Sequence, residues 1–493
     1  MTARNVWETI TRKGKRPLFL ELRSSVTFII LMVSIAVFTD IFPYAVVVPV
    51  LPFALQTRAG VAEDKVQFWI SVSLAAFGAA ILVSAPVWGV LADRTNDRRT
   101  PMLAGLVLLG SATFLLCFMQ NVAMLILGRI LQGMTSALTW SVGLALAVDT
   151  VSAERMGWAM GWIGIAMSLG TLTSPLFGGI VYSKGGYYEV WAMCFALIAA
   201  DIVLRILVIE KKHAAKWLQR VETTQSQLTN VHTPTINSNE EDARDSTSQN
   251  PSYDHESLDR RKKRPGYLGA KDTLGLFTSP RLLAAFWGTI AEAVLLSAFD
   301  STLPIFVKDL FGWDSTGAGL IFLPLVLPTC LGPFVGYLCD KYGPRWLSAF
   351  GFMFYIPFLV CLRFVSQNTM SDKVMLCGLL AGVGVGNAFT FGPVTAEISY
   401  AVEDRYTGRE TKPIALGYAL YNIAFSAGVI VGPLLGGFIR ESAGFSAVGW
   451  SLAIISGATS IWCALFIGGP PLWEMRKMWK NSQQQPDRGS CVS

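Results

Sequence analysis

Apolar residues run along this chain in long stretches, and the polar residues gather in the gaps between them. Runs such as "FWISVSLAAFGAAILVSAPVW" and "PMLAGLVLLGSATFLLCFM" suit only a lipid surround. They recur near 26–55, 68–91, 101–119, 122–149, 156–182 and 188–209, then near 282–307, 317–339, 346–366, 373–402, 413–439 and 444–468. Each approaches the ~20 residues that an α-helix needs to cross a ~30 Å hydrocarbon core. A soluble fold has no interior large enough for so many. The pattern predicts a polytopic, all-α membrane protein with two sets of six spans.

Composition agrees, with 52% hydrophobic and 15% charged residues against about 25% charged in soluble domains. The net charge of +6 lies in the connections, which excludes nucleic acid as a partner. Lys and Arg crowd into the N-terminus (Arg4, Arg12, Lys13, Lys15, Arg16, Arg23), the 92–100 connection, the 210–281 interval, the 340–345 connection and the C-terminal "EMRKMWK". The positive-inside rule then puts both termini and the middle interval in the cytoplasm. The first apolar run is too long for a signal-peptide core and lacks a small-residue cleavage site, so it reads as a retained span.

This divides the chain into an N-terminus (1–25), a first bundle (26–209), a middle loop (210–281), a second bundle (282–468) and a tail (469–493). Residues 223–264 are polar and without helical period, which predicts a disordered link. The cysteines show no CxxC spacing, so neither a disulfide framework nor a metal site is expected. His213, His232 and His255 all lie in the middle loop, leaving none for proton chemistry inside the bilayer. No catalytic triad, phosphate-binding loop or cofactor motif appears, and the expectation is a non-enzyme without cofactors.

The two halves repeat each other. "GVLADRTNDRR" from Gly89 returns as "GYLCDKYGPRW" from Gly336, 247 positions on. "GTLTSPLFGG" from Gly170 returns as "GVIVGPLLGG" from Gly428, and Pro52 in "VLPF" returns as Pro304 in "TLPIF". Three matches in one order at nearly one offset indicate two halves related by parallel repetition.

These stretches resemble the major facilitator superfamily. "GVLADRTNDRR" matches its cytoplasmic loop motif, and "LGRILQGMTSA" its fourth-span motif with Arg129, Gln132 and Gly133. "GTLTSPLFGG" is similar to the fifth-span antiporter motif, with Ser174 where glycine is usual before Pro175. "FTDIFPYAVVVPVLP", "AERMGWAMG" and "IAFSAGVIVGPLLGG" are similar to the vesicular amine transporters and their fungal relatives. The resemblance implies the major facilitator fold, two six-helix bundles related by a pseudo-two-fold repeat. It also implies proton-coupled antiport of a small organic molecule by a monomer. Acidic residues that those relatives carry in the tenth and eleventh spans are replaced here by Ala388 and Asn422.

Charges inside spans cost about 2.5–3.5 kcal/mol each, so each needs a reason. Asp40, about 21 Å into the first span at 1.5 Å per residue, is the leading candidate for proton exchange. A carboxylate in a low-dielectric site can trade its proton for substrate or for an arginine. Arg129 in the fourth span reaches a similar depth and is the expected partner of Asp40. Arg129, Gln132, Gly133, Ser136 and Gly143 form one polar and small stripe. Tyr44 follows Asp40 on the first span, and Glu292 is the repeat counterpart of Asp40 at offset 252. Asp300 and Asn422 complete the proton and substrate set. Asp201 and Arg205, four apart, read as a local ion pair.

Gly89, Asp93, Arg94 and Arg98, with Gly336, Asp340, Lys341 and Arg345, are read as a cytoplasmic gate. The anion would tie the seam between halves, and the glycine would allow close helix approach. Gly170, Pro175, Gly178 and Gly179, with Gly428, Gly432, Pro433, Gly436 and Gly437, are expected to pack and bend their helices. The function expected is export or vesicular sequestration of a secondary metabolite, toxin or drug in exchange for protons. An organellar importer of a biosynthetic precursor and a non-transporting sensor are the alternatives. The membrane is the plasma membrane or that of a vacuole, vesicle or peroxisome.

Overall fold

The structure is a computed structural model and describes residues 19–94, 98–151, 155–209, 279–405 and 414–469. The described residues fall into two units. In the small one, the single turn Leu20–Arg23 is followed by Ser24, and the Ile209 amide donates to Arg23 O at 3.1 Å. The middle loop from 210 to 278, most of the N-terminus and the tail beyond 469 lie outside the described residues.

Among its described residues the large unit consists of helices joined by short turns and holds twelve spans. The first half comprises α1 (Val26–Val46), α2 (Leu51–Ala59), α3 (Val66–Arg94), α4 (Arg99–Cys117), α5 (Val122–Thr150), α6 (Met156–Gly185) and α7 (Tyr187–Leu207). The second comprises α8 (Pro280–Phe311), α9 (Ser315–Leu320), α10 (Phe322–Val326), α11 (Gly332–Tyr342), α12 (Pro344–Cys361), α13 (Met370–Arg405), α14 (Ile414–Ala443) and α15 (Phe445–Phe466). Helices of this length satisfy their own backbone groups, which the absence of water in a bilayer core demands.

Two spans expected as single runs are broken. The first apolar run, 26–55, ends as a helix at Val46, turns through Val47–Val50 and restarts as α2. Pro49 lies in the turn, and Pro52 stands in the first turn of α2, where its missing N–H costs nothing. The eighth span divides into α9, α10, a 3-10 turn at Leu327–Leu331 and α11. Pro324, Pro328 and Pro333 recur there too closely for one continuous hydrogen-bond ladder.

The halves meet along two helix pairs, α3 with α14 and α6 with the α9–α10 segment. Gly179 and Gly319 allow the second contact. A Cβ on either would fall 2.2 Å from a backbone oxygen of the opposite half, Ser315 O and Pro175 O respectively. Polar groups lace the same end of the seam. Gln67, buried on α3, donates to Ser301 O at 3.0 Å and accepts from Arg440 Nη1 at 3.0 Å. Lys308 Nζ donates to Gln56 Oε1 at 3.1 Å, and Ser183 Oγ donates to Asp314 Oδ2 at 2.9 Å. This is the end that carries α2 and the turns at Gly186, Gly312 and Gly444.

Candidate functional site

Two helices of the first half build the polar centre. Ser25 caps α1 by accepting from the Phe28 amide at 3.2 Å, and Asn121 caps α5 by accepting from the Met124 amide at 2.9 Å. Asp40 and Tyr44, four apart, share a face of α1. Arg129, Gln132 and Ser136 share a face of α5 at i, i+3 and i+7.

Asp40 is 6% exposed and accepts from Ser136 Oγ at 2.7 Å. Arg129 is 0% exposed; its Nη1 donates to Gln132 Oε1 at 3.0 Å and to Tyr44 O at 3.3 Å. The Tyr44 ring lies 5.5 Å from the guanidinium carbon and 4.5 Å from the Phe77 ring. The Tyr44 hydroxyl crosses to the second half and donates to Asp300 Oδ2 at 3.1 Å.

The expected Asp40–Arg129 pair is therefore not formed in this conformation. Asp40 lies level with Ser136, two turns along α5 from Arg129. Depth counted from helix ends misled, because α5 has 29 residues, about 44 Å of helix, and overshoots a ~30 Å core.

The second half repeats the arrangement. Glu292 is 1% exposed on α8, and Thr390 Oγ1 of α13 lies 3.5 Å from Glu292 Oε1. Thr390 is at offset 254 from Ser136, so each acid meets a hydroxyl from the fourth span of its own half. Around Glu292 stand three residues that sequence reasoning passed over. Tyr355 donates to Asn387 Oδ1 at 3.3 Å, and Tyr421 lies within electrostatic reach of the carboxyl. Glu292 Oε2 and the Tyr421 hydroxyl are buried without a hydrogen-bond partner. The repeat offset was the one signal that pointed to Thr390. Asn422, beside Tyr421, is half-buried, and its carbonyl accepts from Ser426 Oγ at 2.6 Å.

Gly89, Asp93 and Arg94 lie in the last turns of α3, with the Asp93 and Arg94 side chains outside the described set. Arg98 Nε lies 3.4 Å from Asp149 Oδ2. Gly336, Asp340 and Lys341 lie on α11, where Asp340 Oδ1 accepts from Tyr400 at 3.4 Å and the Lys341 ammonium sits 5.3 Å from the Tyr342 ring. Arg345 opens α12 and donates to Ile467 O. The next amide, Gly468 N, donates to Glu397 at 2.8 Å. Glu397 also takes a two-pronged contact from Arg281.

Pro175 and Pro433 stay within unbroken helices. The small residues around them seat those helices on their neighbours. A Cβ on Gly178 would fall 2.5 Å from Val46 O, and one on Gly428 2.5 Å from Ile290 O. Gly432 meets Ser297 and Gly436 meets Ala298, while Gly170 lies against Ile41. Gly437 faces the other half at Ser71. Asp201 and Arg205 form the expected pair, with Nε to Oδ1 at 3.1 Å and Nη2 to Oδ2 at 2.9 Å.

Residues 33–411 match the model of the Major Facilitator Superfamily. An MFS-type transporter of Schizosaccharomyces pombe is 35% identical over 87% of this chain and 93% of its own length. The MFS-type transporter ppzB of Metarhizium rileyi is 32% identical over 92% of this chain and 97% of its own. Among solved structures, a D-xylose–proton symporter superposes with a TM-score of 0.65 at 13% identity, covering 90% of this chain and 98% of the symporter. A chain whose described residues form twelve helical spans, with an internal repeat and these relatives, is a secondary transporter embedded in a membrane, not an enzyme, and belongs to the major facilitator superfamily.

Proposed function

We propose that this transporter moves a small organic molecule out of the cytoplasm, across the plasma membrane or into an organelle, in exchange for protons. The observation that carries the reading is the pair of buried acids Asp40 and Glu292 at matching places in the two halves. Each faces a hydroxyl, and among the described residues neither has a cation within salt-bridge distance. Burying an unpaired carboxylate charge is expensive, so a proton or a cationic substrate group on either acid offsets that cost. Two such acids on opposite sides of one seam suit a cycle in which proton and substrate take turns.

With both termini in the cytoplasm, the laced end of the seam faces outward, and this conformation is the one closed to the outside. The chain then works as a monomer by alternating access. The test begins with metabolite profiling of cells lacking or overproducing the protein. The molecule displaced is then loaded into proteoliposomes under an imposed pH gradient. Uphill accumulation that follows the gradient supports proton exchange. Accumulation indifferent to the gradient overturns it. Microscopy of a tagged copy decides which membrane is involved.

A further inference from the structure

Arg205, Arg281 and Arg129 of the large unit spend their guanidinium groups differently. Arginine presents a planar fork whose Nε–H and outer Nη–H run parallel and match the two oxygens of a carboxylate. Arg205 uses this edge on Asp201, with Nε to Oδ1 at 3.1 Å and Nη2 to Oδ2 at 2.9 Å. Arg281 uses the same edge on Glu397, with Nη2 to Oε2 at 3.2 Å and Nε to Oε1. Arg129 spends only Nη1, on Gln132 and Tyr44. Its Nε and Nη2 are buried and have no partner, and beside them Gln132 Nε2 has none either.

Asp300 is within electrostatic reach of Arg129 but is not hydrogen-bonded to it, and Asp40 lies two turns away along α5. Asp40 holds Ser136, and Asp300 holds Tyr44. Leaving donors of a buried cation unmade is costly, more so than for a neutral group. We propose that the Nε/Nη2 edge of Arg129, with Gln132 Nε2 at its side, is the docking point for a carboxylate group of the transported molecule. The assignment rests on the transporter reading above and names the substrate class as small organic acids or amphoteric molecules bearing a carboxylate.

Tyr44 controls access to that edge. Its ring lies over the guanidinium, its carbonyl takes Nη1, and its hydroxyl ties it to Asp300 across the seam. In this conformation the unpaired donors are covered, so the carboxylate reaches them as Tyr44 swings away and its tie to Asp300 opens. Such a ligand binds the two arrangements of the seam unequally, which is what lets it shift the balance between them.

The test measures the unfolding midpoint of the purified full-length protein against a panel of small aromatic and aliphatic monocarboxylic acids, each paired with its carboxamide. Acids stabilise the wild type and their amides do not. Arg129→Lys keeps the charge but loses the fork, and acid affinity falls about tenfold or more. Gln132→Leu removes the third donor and weakens acid binding less, and it serves alone where Arg129→Lys fails to fold.

The proposal is overturned where no acid stabilises, where acids and amides act alike, or where acids keep full affinity in both variants. The last result assigns the edge to Asp40 or Asp300 in another conformation. Binding needs no gradient, so the two readings fail separately. Acids bound through Arg129 but moved without response to pH sink proton exchange alone. Proton-driven movement of other molecules by a protein indifferent to acids sinks the carboxylate site alone.

Discussion

Ser136 donates a 2.7 Å hydrogen bond to Asp40, joining the fourth span of the first half to its first. Thr390 and Glu292 stand in the same relation in the second half at 3.5 Å. The repeat therefore extends past the motifs into the pairing of acid with hydroxyl. In both halves the hydrogen-bond partner of the buried carboxyl group is a neutral hydroxyl.

Asp40→Asn keeps the shape and a hydrogen bond to Ser136 but fixes a neutral head. Since Arg129 does not rely on Asp40 in this conformation, the fold should lose about 1 kcal/mol or less. Transport driven by a pH gradient should vanish, while exchange of labelled for unlabelled substrate persists in proteoliposomes. Loss of thermal stability together with every transport mode would make Asp40 a structural residue instead.

Gln67 is the strut of the laced end, bonded to Ser301 O and Arg440 at once. Gln67→Ala leaves a buried acceptor and a cation short of a partner, at a cost of about 1–3 kcal/mol to the arrangement seen here. The expected result is faster labelling of a cysteine placed at Ser71 by a membrane-impermeant maleimide. Unchanged labelling would show that the seam holds without Gln67.

Ser183 and Asp314 face each other across the halves at 2.9 Å. The double variant Ser183→Cys with Asp314→Cys should form a disulfide under mild oxidation and stop turnover, with recovery on reduction. A cross-linked protein that still turns over would mean that this end of the seam does not part during transport.

Asp314 also caps α9 by accepting from the Gly317 amide at 3.0 Å. That backbone bond, with help from Ser183, holds its carboxyl below the usual range against a smaller desolvation effect. A group depressed in the folded state stabilises above its unfolded value, about 4, and the benefit fades as pH falls through the folded value. Asp314→Ala should cost about 1 kcal/mol at neutral pH. Its melting curve should converge on that of the wild type in acid below about pH 4. A gap that persists in acid would assign the loss to something other than the ionised cap.

Gly319→Ala places a carbon where only 2.2 Å separates it from Pro175 O. Nothing there can yield except backbone, so overpacking of about 1–3 kcal/mol should fall on the closed arrangement. Reduced turnover with a raised population open at that end is the expected outcome, read by the same maleimide at Ser71. A variant that turns over normally would mean that α6 and α9 separate at no cost.

Twelve spans, two halves and the places of the buried acids were legible in the residues alone. Lipid admits only backbones that bond to themselves, so apolar length is read directly as a span. The Asp201–Arg205 pair was legible for a related reason, since four residues on one helix settle the geometry without help from any other element. Proline was an ambiguous sign. Pro49 and the Pro324–Pro333 series interrupt their spans, while Pro43, Pro86, Pro175 and Pro433 sit inside continuous helices.

The partners across helices were not legible. Arg129 was matched to Asp40 by depth, but the packed structure gives Asp40 to Ser136 and puts Tyr44 over Arg129. Gln67 gave no warning at all, being an ordinary amide near the start of an apolar run. Sequence determines what each span can offer along its own axis, because rise per residue and side-chain order are properties of one helix. Which offers meet is decided by how the helices are rotated and slid against one another. Close glycine contacts such as Gly178 on Val46 and Gly179 on Ser315 set those two quantities, and they exist only once the helices are packed.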